Sequence, residues 1–217
     1  MRIRSFIIAY ALVLAILLFA DRRPGPTQQN RYSHVVDLTG APALHPSAGL
    51  PSGATRIIAP AALIPGTWSA WQIPAERLIA PLVVMDLKTF PDQTSQITLE
   101  EIAEWESRHN VIPQGAVVAI RRVSTTRATA EASLPITADA AQFLMDARSV
   151  LGFAVESSAD LTSDRALARQ LALHGNYVVD GATRFSSLPE TGSLVIVAPM
   201  KNKTAGEAPV RILAMVR

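Results

Sequence analysis

From residue 34 to the end of this chain, short apolar runs rich in β-branched residues alternate with amphipathic stretches, and this alternation restricts the fold more than any other feature. The runs "HVVDLTG" (34–40), "LVVMDL" (82–87), "AVVAIRRV" (116–123), "GFAVES" (152–157), "NYVVDG" (176–181), "SLVIVAPM" (193–200) and "VRILAMV" (210–216) are of strand length. Val and Ile are stiff at χ1 and pack well on a pleated surface, so these segments are expected to be strands. Between them, "TLEEIAEWESRHN" (98–110) begins with Thr98 and Glu101, the spacing of a capping box, and stops at Asn110 ahead of Pro113 and Gly115. "ADAAQFLMDARSV" (138–150) and "SDRALARQLALHG" (163–175) are the other expected helices, the second closed by Gly175. The last two strands, joined by "KNKTAGEAP", should form a long hairpin. A chain of 217 residues suits one domain with a proper core. The expected fold is therefore a single α/β domain, residues 33–217, with a mixed, curved β-sheet and about three helices.

The amino terminus has a different character. "MRIRSFIIAYALVLAILLFADRRPGP" opens with Arg2 and Arg4, runs without a charge from Phe6 to Ala20, and then carries Asp21, Arg22 and Arg23. Residues 1–23 are expected to be a signal-anchor or a cleaved signal peptide, and residues 24–32 a linker. Leu18 is bulky where signal peptidase favours a small side chain, which points toward an anchor. Arg2 and Arg4 favour a cytoplasmic amino end. The domain would then lie outside the inner membrane, tethered to it, or be released to the periplasm if the segment is cleaved.

Charge and residue type exclude several function classes. With 20 Lys and Arg against 18 Asp and Glu, the formal net charge is only +2, and the basic residues are scattered rather than gathered on one stretch, so nucleic acid is not an expected partner. The chain has no cysteine, which removes disulfides, thiolate ligands and Cys nucleophiles. Its four histidines, His34, His45, His109 and His174, never pair at i+2, i+3 or i+4, so no local metal clip exists. His109 and His174 stand at helix ends, where a His favours the helix dipole. Ser52, Ser157 and Ser158 lack the G-x-S-x-G setting of a hydrolase nucleophile.

The stretch "SGATRIIAPAALIPG" (52–66) has the Gly and Pro punctuation of a functional loop, yet Arg56 is its only ionisable side chain. Its context supplies an explanation. "VVDLT", "IPAERLIAPLVVMDL", "IPQGAVVAIRR", "LPITADAAQFLMDARSVLGFAVES" and "LVIVAPMKNKTAGEAPVRILAMV", in that order, resemble the cyclase family that includes bacterial kynurenine formamidases and isatin hydrolases, from about residue 33 to the last residue. The resemblance implies a scaffold of metal-dependent amide or lactam hydrolases using zinc or manganese. Their signature, HxGTHxDxPxH, supplies imidazoles and a carboxylate that lower the pKa of metal-bound water, with a last His that moves protons.

With Thr55 and Pro60 as fixed points, the loop falls on that signature without a gap. The implied ligand positions are then Ser52, Arg56 and Ile58, the proton-shuttling position is Ala62, and a downstream His and Glu pair falls on Ala168 and Asp180. No metal is therefore expected, and the implied function is a catalytically degenerate, membrane-tethered binding or assembly module. The alternative is an amidohydrolase of the arylformamidase type, acting on N-formyl or cyclic amides through a rearranged or partner-supplied site. Arg56 and Asp180 are expected to form an ion pair, either closing the old pocket or anchoring an anionic ligand. Glu156 and Asp160 are the other acidic residues expected near the cleft. Trp68 and Trp71 either cover the site and an interface or stack on a flat ligand. A homodimer, or a hetero-oligomer with a related subunit, is the implied assembly.

Overall fold

The computed structural model describes residues 32–40, 54–88, 96–123, 134–156, 161, 164–201 and 206–217, and Tyr32–Arg217 forms one compact unit. The amino-terminal apolar segment and His45, Ser52, Ser157, Ser158 and Asp160 lie outside the described residues. Among the described residues, no helix is long and apolar enough to cross a membrane.

Strands form where the β-branched runs stand: β1 (His34–Asp37), β3 (Ile79–Lys88), β4 (Val117–Val123), β5 (Gly152–Val155), β6 (Tyr177–Asp180), β7 (Ser193–Pro199) and β8 (Glu207–Val216). A further strand, β2 (Arg56–Ile58), and a one-turn helix, α1 (Pro60–Leu63), occupy the stretch expected to be a loop. That expectation is corrected for physical reasons visible in "RIIAP". Two β-branched residues accept a ladder on both sides, and Pro60 opens α1, where its missing N–H costs nothing. The longer helices are α2 (Leu99–His109), α3 (Ala138–Arg148) and α4 (Arg165–Leu173). Each starts on a side-chain cap: Thr98 with the reciprocal Glu101, Thr137 and Asp164.

Helices α2, α3 and α4 link β3, β4, β5 and β6 in succession, and those four strands pair in parallel. The remaining pairings are antiparallel, including the expected β7–β8 hairpin. Because β8 pairs with β7 on one side and with β2 on the other, the eight-stranded sheet does not remain open. The order β8-β2-β6-β5-β4-β3-β7 returns to β8, a closed barrel-like ring to which β1 adds along the end of β8. The expected sheet was mixed and curved; the structure goes further and closes it.

Alternation along each strand sorts the core into two parts. Ile57, Leu82, Val84, Val117, Ala154, Tyr177 and Val179 fill the ring. Ile58, Val83, Met85, Val118, Phe153 and Val178 face outward and pack against Ile102, Trp105, Leu144, Leu167 and Leu171 of the helices. The parallel strands are thus buried on both faces, which is why they read as unbroken apolar runs.

Two local features test this packing. Gly152 lies against Tyr177, and a Cβ there would sit 2.5 Å from the Tyr177 carbonyl oxygen and 2.8 Å from its ring. Tyr177 cannot yield, because it is fully buried and its hydroxyl donates to the Arg77 carbonyl at 2.9 Å. Gly152→Ala should therefore cost about 1–3 kcal/mol or more, read as a melting-temperature drop of several degrees. Glu106 of α2 takes a bidentate pair of hydrogen bonds from Arg148 at the end of α3, at 2.7 and 2.8 Å, and a third from the Ile112 amide. The Arg148 bonds hold its carboxyl below the usual carboxylate range, against the opposing effect of burial. A depressed folded pKa gives stability that is present above the unfolded value, about 4.3, and lost as pH falls through the folded one. In denaturant melts, the stability gap between the parent and Glu106→Gln should be widest near neutral pH and close toward pH 3.

Candidate functional site

Register places Arg56 directly opposite Asp180 across the β2–β6 ladder. Ile57 and Val179 point into the ring, so Arg56 and Asp180, with Ile58 and Val178, point toward the helices. The pair forms as expected. Arg56 Nε donates to both oxygens of Asp180 at 3.0 Å and Nη2 donates to Oδ2 at 3.0 Å. Sequence reasoning missed a third member. Glu207, at the start of β8 and opposite Ile58, accepts from Arg56 Nη1 at 2.8 Å. An acidic residue at the head of a largely apolar strand, whose other charge is Arg211, was the available signal. One guanidinium is therefore shared by two carboxylates from the two neighbouring strands.

The environment is partly dry. Asp180 is 2% exposed, whereas the Arg56 side chain keeps 28% of its surface in water and Glu207 38%. Hydrogen bonding to Asp180 is the main cause that pushes the Arg56 guanidinium above its already high ordinary pKa, with burial opposing it. Arg56 is thus a permanent cation at any working pH. Thr55 fixes this end of the barrel: its buried hydroxyl donates to the Gly181 carbonyl at 2.7 Å and accepts from the Gly40 amide at 2.6 Å.

Ala62 on α1 and Ala168 on α4 both line a cleft of about 540 Å³ between those two helices. Leu63, Ile64 and Leu161 complete its apolar wall, and Arg165 and Arg169 are its charged described residues. These two arginines were not singled out from the sequence, although their i, i+4 spacing placed them on one helix face with Ala168. Trp68 and Trp71 are not among the described lining residues. Trp68 instead packs against Gly175, which closes α4 at φ +68°, and stacks beside the Arg77 guanidinium at 5.4 Å. Both tryptophans remain 39% exposed.

The other singled-out residues have local partners. Glu156 accepts from the Phe185 amide at 3.3 Å, at the end of β5. His174 engages the Gln170 carbonyl and Asp146, each at 2.9 Å, and His109 lies 2.6 Å from Glu190 and against the Trp105 ring. His34 meets Ser33 at the surface. These contacts of His34, His109 and His174 do not involve Arg56 or Asp180. Among the described residues, no group of three or more His, Cys, Asp or Glu side chains could hold a metal ion.

Residues 33–159 match the family model described as Putative cyclase, which is more than half of the chain. The chain belongs to this cyclase family. Ala168 and Asp180 lie beyond the matched residues. Among solved structures, the fold is similar to isatin hydrolase A from Labrenzia aggregata bound to benzyl benzoate, at 26% identity over 84% of this chain and 93% of that one, with a TM-score of 0.68. Isatin hydrolase A from Ralstonia solanacearum is similar at 23% identity over 85% and 92%, with a TM-score of 0.67. A potential metal-dependent hydrolase with cyclase activity is similar at 22% identity over 85% and 98%, also with a TM-score of 0.67. No curated protein matches the sequence. The resemblance drawn from the sequence implies zinc or manganese, and the side chains described at the positions it implies do not offer a divalent ion a ligand set. Arg56, Ile58, Ala62 and Ala168 offer no suitable donor, and both Asp180 oxygens already accept from Arg56.

The pair makes a direct stability prediction. Arg56→Ala would leave the Asp180 carboxylate buried without its guanidinium. A fully buried pair broken in this way costs ~3–5 kcal/mol, and the partial exposure of Arg56 reduces the expected loss to about 2–3 kcal/mol. Chemical denaturation of the variant and the parent measures it; equal midpoints and slopes would show that the pair does not support the fold.

Proposed function

We propose that this protein is a catalytically degenerate member of the cyclase family that serves as a binding or assembly module. The observation that carries the reading is the ion pair of Arg56 with Asp180, two positions where the family resemblance implies metal ligands, extended by Glu207 on the neighbouring strand. A permanent cation about 4 Å from a divalent ion is repulsive by several kcal/mol at an effective dielectric near 20. Aliphatic residues at Ile58, Ala62 and Ala168 support the same reading, since none can coordinate a metal or move a proton. Ser52 would add at most a weak ligand.

The proposal extends to cellular context. The charged flanks and apolar run of residues 1–23 support a tether to the inner membrane with the domain on its outer side, or a periplasmic form after cleavage. Assembly as a homodimer, or with a related subunit, follows from the family resemblance.

The rival is metal-dependent hydrolysis of the arylformamidase type, favoured by the kinship with isatin hydrolase A. Elemental analysis of the full-length chain, purified without chelators and incubated with zinc or manganese, decides between them together with a hydrolysis assay on N-formylkynurenine and a cyclic amide. The expected result is well under one ion per chain and no turnover. One tightly held ion per chain with chelator-sensitive turnover would establish the rival.

A further inference from the structure

Arg56 cannot serve as an anion anchor, because Asp180 and Glu207 together already outweigh its charge. The guanidinium groups available to a ligand stand elsewhere. Arg165 and Arg169, one turn apart on α4, both border the cleft, both are exposed, and neither has a carboxylate partner among the described residues. Like charges at this spacing weaken a helix slightly, so the fold gains nothing from the pair. Beside them the cleft is apolar: Leu63, Ile64 and Leu161 form its wall, and the small side chains of Ala62 and Ala168 leave it open. Its volume of about 540 Å³ falls in the range of small-molecule sites, which run from roughly 300 to 1,000 Å³.

We infer that this cleft binds a small organic carboxylate with a compact apolar body, the carboxylate held by Arg165 and Arg169 and the body lying against Leu63, Ile64 and Leu161. The inference deepens the binding-module reading and rests on it for the role of the cleft. Guanidinium forks match carboxylate oxygens in pairs and stay charged at all working pH values. Affinity should therefore be flat from pH 6 to 9 and fall with added salt, as a screened ion pair does. A histidine- or metal-based site would vary with pH over that range.

The test titrates naphthoate, its neutral isostere naphthamide and inorganic phosphate into the full-length chain by calorimetry. The expected result is saturable naphthoate binding, with naphthamide weaker by about tenfold or more and phosphate weak. Arg165→Gln and Arg169→Gln should each weaken naphthoate about tenfold, as loss of a charge-assisted hydrogen bond does, and leave naphthamide nearly unchanged. Both side chains are exposed, so melting curves should match the parent. Equal affinity for naphthoate and naphthamide, unaltered naphthoate binding in both variants, phosphate binding as tight as naphthoate, or no naphthoate binding would each overturn the inference. Metal content and hydrolysis are measured on the same preparations, so a metal-loaded, active protein overturns the proposed function by a separate readout.

Discussion

Strand β2 is only three residues long, yet it supplies the ladder between β6 and β8, and closure of the barrel depends on it. Three residues give few hydrogen bonds, so a free segment of this length would not hold a sheet edge. Arg56 adds what the backbone lacks. Its guanidinium reaches the residue directly across on β6 and the diagonal neighbour on β8, fastening both seams on the same face of the sheet. Beneath it, Ile57 and Ile58 bury one side chain inside the ring and one under the helices. The Thr55 hydroxyl ties the preceding turn to the end of β6 and to the loop after β1. A cluster of polar bonds and two aliphatic side chains thus carries the closure that the rest of the barrel assumes.

The same cluster bears on the proposed loss of a metal. A metal site needs several lone pairs directed at one point, and the carboxylates here are directed at a cation that is part of the chain. The opening between α1 and α4 is lined by short and aliphatic side chains, with the Arg165 and Arg169 guanidinium groups as its charged described members. Structural charge and exposed charge are therefore separated: one arginine holds strands, and two others face solvent. Trp68, which the sequence placed beside the site, acts at the opposite end of α4 by packing on Gly175 and Arg77.

Much of the fold was legible because it rests on local rules. The apolar runs around Val83, Val118, Phe153 and Val178 became parallel strands, and the caps at Thr98 and Gly175 marked helix ends correctly. The Arg56–Asp180 pair was also foreseen, through the family motif rather than through the physics of the segment. The remaining features are nonlocal. "RII" is too short to signal a strand, Glu207 gains meaning only when β8 lies beside β2, and Arg165 and Arg169 gain meaning only when α1 packs next to α4. Within the expected loop, Arg56–Ile58 form a strand because β6 and β8, far along the chain, supply ladder partners on both sides, and Pro60–Leu63 form one helical turn.

The sequence by itself determined the number and type of the main elements, since β-branched periodicity, caps and turn residues act within a few positions of one another. It also carried the resemblance to the cyclase family, on which the implied ligand positions rest. Tertiary structure alone decided that the sheet closes, that one guanidinium joins three strands, and that two arginines without a carboxylate partner among the described residues share a cleft with an apolar wall. The physical reason is that closure and charge pairing depend on register between segments distant in the chain, and register is fixed only when both faces of the sheet find their partners in the core.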